Sequence, residues 1–450
     1  MAEHPAEALH VTPETAARDL ASRPGRSTAG FWVAVLILVV VGIVGIVALV
    51  SLAGAGPQPP ARWGYAAAAF GFIFSTFQAA PALAFMTRLA KGFWGIGLRR
   101  AAELGALAGL VNAPLFLVLV QQLPDFNGRR SVWFGWPGAP QFWDSSAVVM
   151  LALTGLALLY LSCIPDFAVA GQRGGFARTL SLGWSGTQRQ WQVLSAGVVV
   201  LGAFYLMQYA MTTVFVVGDL LEALVPGWAS SVYPAYHGIS GLQAGLATTL
   251  LIAGALRRFG NMRPYIRLDA FWGAAKPMLA LSLLFFYFTW MELMVTWYGR
   301  TPREQGILYL HMFGPYIWLF ILGFTCNFIA PFLLLIWNPI RVSVNGPIFV
   351  GAIIVLGNLM DRLRIYVSSW QVATAPGVHV LEPEQVPLTY FPGPAEVLIV
   401  IGAVAAVGAL YFLALRLVPG VSLWESQYGL LFKVEQRYMR TEVAIVAKPR

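Results

Sequence analysis

Two short segments each place a pair of polar side chains on one face of a helix, beside long apolar runs. Asp144 follows Gln141 by three residues, and His237 follows Tyr233 by four. Both spacings bring the members of a pair to the same helix face. Carboxyl, imidazole and phenol groups can exchange protons, and an amide can bind a carbonyl oxygen. The pairs therefore predict a site for a molecule with polar oxygens next to an apolar environment.

Other polar side chains also stand near the ends of apolar runs. Gln122, Trp143 and Tyr236 lie close to the two pairs in the sequence or in the predicted arrangement of helices. We group with them a second polar cluster, which comprises Glu292, His311, Asp361, Arg362 and Arg364. Ionisable groups inside a membrane span are costly and mark functional sites by default. We predict Asp144 and His237 as the proton-exchanging residues, and the others as binding or supporting residues.

The elements that must position these side chains are membrane-spanning helices. Of the 450 residues, 58% are hydrophobic and 11% are charged, whereas a soluble domain carries about 25% charged residues. Ten apolar blocks are each long enough to cross a hydrocarbon core of roughly 30 Å. They cover residues 31–53, 63–88, 99–122, 143–168, 191–217, 234–256, 275–298, 311–337, 345–366 and 395–418. The uninterrupted apolar runs favour helices over barrel strands, so we predict an all-α polytopic membrane protein with ten transmembrane helices.

The distribution of basic residues predicts the orientation. The segments on the N-terminal side of the predicted membrane contain 22 of the 29 Lys and Arg residues. Basic loops remain in the cytoplasm, so both termini are expected there. We divide the chain into a cytoplasmic tail (1–30), a transmembrane domain (31–418) and a second cytoplasmic tail (419–450). The first apolar block is expected to be an anchor rather than a cleaved leader.

Two long connections are expected on the outer side, at 123–142 and 371–394. Both are rich in proline and should form rigid irregular caps, which suit docking of a partner but also fit simple surface loops. With this topology the titratable groups within the spans concentrate in the outer half, while the middle contains uncharged residues such as Gln78 and Asn327. No chain of carboxylates crosses the membrane, which argues against transmembrane proton translocation.

Resident metal or haem groups are not expected. The two cysteines, Cys163 and Cys326, lie in apolar spans and form no CxxC pair, so the chain should bind neither zinc nor an iron-sulfur cluster. His237 and His311 could in principle ligate one haem, but no second pair of histidines accompanies them. A reduced-minus-oxidised optical spectrum would test this expectation.

A quinone fits the predicted outer pocket. Its tail needs a lipid-facing slot, and its two head-group oxygens need hydrogen-bond partners, at least one of which exchanges protons. We assign proton exchange to Asp144 and binding of the head group to His237, Tyr233, Tyr236 and Gln122. The individual side chains could instead only extend towards the membrane interface.

Several stretches resemble the NrfD and polysulfide reductase family of membrane subunits, which includes those of alternative complex III. The resembling stretches, which follow the family order, are Trp63-Gly64-Tyr65, Arg99-Arg100-Ala101-Ala102-Glu103, Phe142-Trp143-Asp144, Ile164-Pro165-Asp166, Val225-Pro226-Gly227-Trp228, Met291-Glu292, Trp297-Tyr298, Asn327-Phe328-Ile329-Ala330-Pro331-Phe332 and Asp361-Arg362.

The resemblance implies two four-helix bundles, spans 2–5 and 6–9, flanked by helices 1 and 10. It also implies that this chain binds no redox group and that a quinone, menaquinone or ubiquinone, reacts near the outer surface. Electrons would pass between the quinone pool and a docked periplasmic iron-sulfur subunit, alongside a molybdopterin or multihaem cytochrome subunit. Asp144, Glu292 and Arg362 match acidic and basic positions of the family. The implied location is the cytoplasmic membrane of a bacterium or archaeon, with no nucleic-acid partner.

The sequence also departs from the family. Gln78 stands where many members carry a histidine in span 2, and Gln121-Gln122-Leu123-Pro124 replaces a histidine-containing motif after span 3. Trp228-Ala229 stands where members have Trp-His. Two other functions are therefore considered. One is a structural anchor subunit without quinone chemistry, and the other is a secondary transporter, although transporters place coupling residues at the membrane midplane.

Overall fold

The computed structural model describes residues 13–22, 28–123, 137–171, 176–373, 380–431, 433–438 and 441–446. Its helices are α1 (Pro13–Ser22), α2 (Ala29–Gly54), α3 (Pro60–Thr76), α4 (Ala80–Leu89), α5 (Ile96–Glu103), α6 (Gly109–Val120), α7 (Gln141–Gly171), α8 (Phe176–Leu180), α9 (Gln188–Leu220), α10 (Tyr233–Phe259), α11 (Leu268–Gly299), α12 (Pro302–Leu308), α13 (Ile317–Phe324), α14 (Ala330–Ile336), α15 (Asn338–Arg341), α16 (Asn345–Gln371), α17 (Pro394–Ala414) and α18 (Leu423–Leu431). Strands β1 (Lys433–Tyr438) and β2 (Thr441–Val446) form an antiparallel hairpin. The predicted helical class is confirmed.

Nine helical segments in the described part of the chain are long and apolar enough to cross a membrane. They are Ala29–Gly54, Pro60–Leu89, Phe93–Val120, Gln141–Ala170, Gln188–Leu224, Tyr233–Phe259, Leu268–Gly299, Ile317–Ile336 and Pro394–Ala414. Each overlaps one of the predicted blocks. The chain is therefore a multi-pass helical membrane protein.

The predicted ninth block, 345–366, lies in α16, which is not among these nine segments. The helix is 27 residues long, which at about 1.5 Å per residue suffices to cross a bilayer. Its second half, however, contains Asp361, Arg362 and Arg364, which make the segment more polar than the others. All three side chains are buried within the protein, so neighbouring helices rather than lipid surround them.

The predicted tails and caps lie only partly within the described residues. Residues 124–136 and 374–379 of the proline-rich connections are outside them, as is most of the N-terminal tail. The C-terminal tail contains α18 and the hairpin, and α18 packs against α1. Tyr265 donates a hydrogen bond to Asp19 of α1, 2.9 Å away, which ties α1 to the membrane domain.

The first and last spans pack against each other through glycines. A Cβ on Gly45 of α2 would lie 2.6 Å from the Cα of Gly402 on α17, so the two backbones approach as only glycine permits. Close approach of this kind drives association between helices in lipid. The opposite side of α2 exposes residues such as Ile37 and Val50, as expected for a helix that faces lipid.

Buried ion pairs join α18 to the ends of α4, α5 and α7. Glu425 accepts hydrogen bonds from Arg88 at 2.9 Å and from Arg99 at 3.0 Å. Arg100 binds Asp166 at 2.6 Å and also contacts Glu103, which in turn pairs with Arg88. These side chains are shielded from solvent, so the network joins the C-terminal segment firmly to the spans.

Several spans are interrupted near their middle. The turn at residues 77–79 separates α3 from α4, and a 3-10 stretch, Leu104–Ala108, separates α5 from α6. A π-helical turn, Thr325–Ile329, separates α13 from α14, and another, Tyr309–Phe313, follows α12. π-turns inside helices often occur at functional sites. The turn at Tyr309–Phe313 carries His311.

Candidate functional site

A narrow cleft lies where α10 begins and α11 and α12 meet. Its lining comprises Trp228, Tyr233, Glu292, Thr296, Ile307, Leu308, His311, Met312 and Arg364. The loop between α9 and α10 supplies Trp228, and the π-turn after α12 supplies His311. The cleft has room for about one water molecule. It therefore brings together Tyr233 with three members of the predicted second polar cluster.

Aromatic rings form one wall of the cleft. The Trp228 ring centroid lies 4.7 Å from that of His311 and 4.6 Å from that of Tyr233, to which it stands edge-on. Tyr233 packs in turn against Tyr236 at 5.1 Å. Such contacts hold aromatic side chains in fixed relative orientations. The wall thus joins two predicted binding residues to Trp228, which sequence reasoning had used only as part of a family motif.

Three polar atoms of residues that line the cleft have no hydrogen-bond partner among the described residues. They are the Tyr233 hydroxyl, His311 Nε2 and Arg364 Nε. All three side chains are more than nine-tenths buried, and an unpaired polar atom in that setting is costly. His311 is anchored from its other side, because its Nδ1 lies 3.0 Å from the Ser368 hydroxyl. The free Nε2 is thereby held towards the cleft, where a ligand oxygen could bind it.

A buried charged cluster supports the cleft from α16. It consists of Asp361, Arg362 and Arg364. The Asp361 carboxylate accepts hydrogen bonds from Arg364 at 2.7 Å, from Arg362 at 3.0 Å and from the Tyr236 hydroxyl at 2.7 Å. Two guanidinium groups and one carboxylate give this cluster a formal charge of +1. It favours electron-rich oxygen atoms nearby.

Glu292 closes the cleft on the α11 side. Its carboxylate accepts hydrogen bonds from the Ser230 hydroxyl at 2.6 Å and from Trp228 Nε1 at 3.4 Å. The same hydroxyl accepts the backbone N–H groups of Val232 and Tyr233, which lie at the start of α10. Ser230 therefore positions both the carboxylate and the helix that carries Tyr233.

His237 is not part of the cleft lining. It is fully buried, and its Nε2 lies 3.1 Å from the Tyr366 hydroxyl. Its ring lies 6.2 Å from that of Phe74, and its carbonyl accepts a hydrogen bond from Arg362 at 3.2 Å. Arg362 also binds Ser240 and Ser75, so it links α16 to α10 and α3. The two members of the predicted pair, His237 and Tyr233, therefore lie in two different environments.

Asp144 lies apart from the cleft and is paired with an acidic residue that the sequence analysis missed. Its fully buried carboxyl group lies beside that of Asp219, near the end of α9. Two carboxyl groups can form a hydrogen bond with each other only when one of them carries a proton. No donor among the described residues binds either group.

The remaining predicted binding residues, Gln122, Gln141 and Trp143, are partly or fully exposed. Gln141 and Trp143 are exposed, Gln122 is half-buried, and Trp143 Nε1 donates to the Pro137 carbonyl at 3.0 Å. None of the three lines the cleft. The structure therefore places Tyr233 in the cleft and leaves the buried Asp144 and these three residues outside it.

Two acidic residues between these groups escaped the sequence analysis. Asp219 and Glu222 stand three residues apart directly after the apolar block 191–217. Both are buried, and Glu222 lies beside the backbone N–H of Ser230. Two carboxylates at the end of an apolar run were a signal that could have identified them.

No group of three or more His, Cys, Asp or Glu side chains in the described ranges is arranged to hold a metal ion. No protein-family model matches the chain, and no curated protein is significantly similar to it. The functional assignment therefore depends on the geometry of the cleft and on the residues around it.

Proposed function

We propose that this chain is the quinone-interacting membrane subunit of a multi-subunit respiratory oxidoreductase. The observation that carries the proposal is the cleft, which has an aromatic wall and is lined by three residues with unpaired polar atoms, Tyr233, His311 and Arg364. The Tyr233 hydroxyl and His311 Nε2 would bind the head-group oxygens, and Trp228 would contact the ring. Menaquinone and ubiquinone both offer these features, an aromatic-like ring with oxygens on opposite sides.

Binding of a head group requires the cleft to widen, because the closed form has room for about one water molecule. Met312 lines the cleft, and an unbranched methionine side chain repacks at low energetic cost. We expect Met312 to move on binding while Trp228 and His311 stay in place, since both are held by hydrogen bonds or stacking.

The proposal includes a topology of ten spans with α16 as the ninth, arranged as two four-helix bundles with flanking helices. Both termini would lie in the cytoplasm of a bacterium or archaeon, on the basis of the basic loops. The cleft then opens near the outer surface. Electrons would pass between the quinone pool and a docked periplasmic iron-sulfur subunit, which itself exchanges electrons with further redox subunits.

Quinone binding can be tested on the purified full chain in lipid nanodiscs. A short-chain naphthoquinone or benzoquinone should quench tryptophan fluorescence saturably, because Trp228 lies in the cleft. Replacing Tyr233 by Phe should weaken binding about fivefold, the typical effect of losing one hydrogen bond. Tyr411→Phe is the matched control, since Tyr411 is also buried but donates to the Ala101 carbonyl elsewhere. Absence of saturable quenching, or equal weakening by both variants, would contradict the proposal.

A structural anchor subunit is the alternative that the same experiment addresses. An anchor should assemble with redox partners but show neither co-purifying quinone nor saturable quenching. Saturable quenching by a quinone distinguishes a quinone-binding subunit from a structural anchor. This measurement does not require the partner subunits to be isolated.

Secondary transport is favoured by one specific observation, the interrupted helices near the middle of three spans. Asn112 donates to Gln78 at 2.6 Å beside one interruption, and Gln243 donates to the backbone carbonyl of Asn327 at 2.7 Å beside another. Transporters often bind substrates at such interruptions. Solute uptake into proteoliposomes that is abolished by Gln243→Leu but insensitive to Tyr233→Phe would support this alternative.

A further inference from the structure

Four buried carboxyl groups lie in or near the cleft and towards the exposed residues next to Asp144. We call Glu292, Glu222, Asp219 and Asp144 the acidic row. Glu292 lines the cleft, and Asp144 lies next to the exposed Trp143. All four side chains are more than nine-tenths buried, although they come from α7, α9, α11 and the loop after α9. Four buried acids along one path are not explained by packing, because burying each carboxyl group is costly.

Neighbouring groups join most steps of the row. The Ser230 hydroxyl donates to Glu292, and its backbone N–H lies beside Glu222, so one residue stands between the first two acids. The carboxyl groups of Asp219 and Asp144 lie side by side. Glu222 and Asp219 stand three residues apart across the end of α9. At this step the proton must cross by a water molecule or a side-chain rotation, which short polar gaps in proteins permit.

In the part of the chain that the structure describes, none of the ion pairs between acidic and basic side chains includes a member of the row. Both oxygens of Asp219, both of Asp144 and one of Glu222 have no donor among the described residues. By contrast, Glu425 and Asp166 at the far ends of the spans are bound by arginines. An arginine partner favours the ionised form of a carboxyl group, whereas a neighbouring carboxyl group favours a pair that holds one proton and can release it.

We propose that the acidic row conducts protons between the cleft and the membrane surface next to Asp144. The inference depends on the proposed quinone chemistry. Oxidation of a quinol to the quinone releases two electrons and two protons. The electrons go to the iron-sulfur partner, and each proton passes from a quinol hydroxyl to Glu292 and then along Glu222, Asp219 and Asp144. Reduction of the quinone uses the same route in reverse.

The row also gives a role to a candidate that the cleft does not contain. Asp144 does not contact the head group in this arrangement. It accepts or donates the proton at the exit, beside the surface residues Gln141 and Trp143. The path runs along one end of the helices and does not cross the membrane, so proton exchange occurs on the same side as the cleft.

The experiment uses the complex isolated through an affinity tag on this chain, with a short-chain quinol as donor and a soluble dye as electron acceptor. Asp219→Asn and Glu222→Gln keep the side-chain shapes but cannot pass a proton in the same way. Turnover should fall by about 10²-fold in each, the usual contribution of a positioned proton-transfer group. Binding of the quinone analogue should stay within about twofold of wild type, since neither residue lines the cleft.

Glu396→Gln is the matched control, because Glu396 is also a buried carboxyl group but pairs with Arg62 outside the row. Its turnover should stay within about twofold of wild type. A small diffusible weak acid such as formic acid should restore turnover of Asp219→Asn at least about tenfold, which a variant with a merely damaged fold would not show.

The outcomes separate the two proposals. Intact analogue binding with wild-type turnover in both row variants would refute proton conduction and leave quinone binding standing. Slow turnover without rescue by the weak acid would also refute it. Loss of saturable binding in the wild-type chain would overturn the proposed function and the inference together.

Discussion

Arg364 donates a hydrogen bond from Nη1 to the backbone carbonyl of His311, 2.8 Å away. Its Nη2 simultaneously binds Asp361 at 2.7 Å. One guanidinium group thus connects the π-turn that carries His311 to the charged cluster on α16. This arrangement explains how a turn outside the regular helices can hold His311 Nε2 towards the cleft.

Replacing Arg364 by Met should destabilise the protein by about 3 to 5 kcal/mol. The change leaves the Asp361 carboxylate with one guanidinium fewer in a buried site and frees the His311 carbonyl. Thermal unfolding of the full chain in nanodiscs measures the effect. Arg258→Met is the control, because Arg258 is exposed, and it should change the free energy of unfolding by less than about 0.5 kcal/mol. Equal stabilities of the two variants would show that the Arg364 contacts carry no net energy.

Trp228→Phe should preserve a ring in the cleft but remove the hydrogen bond to Glu292. We expect the affinity for a short-chain quinone to fall about threefold to tenfold, because both stacking area and one hydrogen bond are reduced. The quenching amplitude should also fall, since the reporting indole is lost. Trp297→Phe provides the comparison, as Trp297 is half-exposed and does not line the cleft. If Trp297→Phe lowered the amplitude more, the quinone would bind elsewhere.

Acid should loosen α18 through Glu425. Burial opposes ionisation of this carboxyl group, but Arg88 and Arg99 outweigh that effect and lower the pKa of Glu425 below its ordinary value of 4.5. The unfolded chain therefore binds a proton at a higher pH than the folded chain does. The stability from this group is present above pH 4.5 and is lost as the pH falls through the lowered folded-state pKa.

Amide hydrogen exchange of α18 at decreasing pH, corrected for the intrinsic exchange rate, measures this loss. Protection of wild-type α18 should decrease as the pH is lowered below about 5, near the ordinary pKa of a glutamate. Glu425→Gln should be less protected at pH 7 and should change less with pH, because the titrating group is gone. An identical pH dependence in both proteins would exclude Glu425 as the cause.

Gly45→Ala should destabilise the packing of α2 on α17. The added methyl carbon would lie 2.6 Å from the Gly402 Cα, so the helices must separate, at a cost of about 1 to 3 kcal/mol. Gly54→Ala, in the same helix, meets no atom within 4 Å and is the matched control. Thermal unfolding should report a lower midpoint for the first variant only. A neutral Gly45→Ala would mean that α2 is held in place mainly by lipid.

Fusion of topology reporters tests whether α16 is a span. With ten spans the two termini lie on the same side of the membrane, whereas with nine they lie on opposite sides. We expect green fluorescent protein to fluoresce and alkaline phosphatase to be inactive when either reporter is fused to the N-terminus or the C-terminus, because both termini are proposed to lie in the cytoplasm. A phosphatase fusion after residue 341 should be inactive and one after residue 385 active, because α16 lies between them. An active fusion at the C-terminus together with an inactive one at the N-terminus would contradict the ten-span topology.

The sequence by itself determined where the helices lie. Apolar runs of about 20 residues can form little else in a bilayer, so nine of the ten predicted blocks coincide with apolar helices long enough to span. It also indicated which polar side chains stand near the ends of those runs. Both inferences use local information, namely composition within a window and the spacing of neighbours along one helix.

Only the tertiary structure decided which of these side chains meet. Asp144 pairs with Asp219, 75 positions later in the chain, and His237 meets Tyr366, 129 positions later. The spacing of residues along one helix predicts which side chains share a face, but not which neighbouring helix that face contacts. Tyr233 and His237 were therefore expected to share one site, whereas the packing of the helices places them in two. His311 reaches the cleft from a π-turn, and Arg364 holds it there across 53 residues. Such contacts depend on how helices pack, which no single segment of sequence specifies.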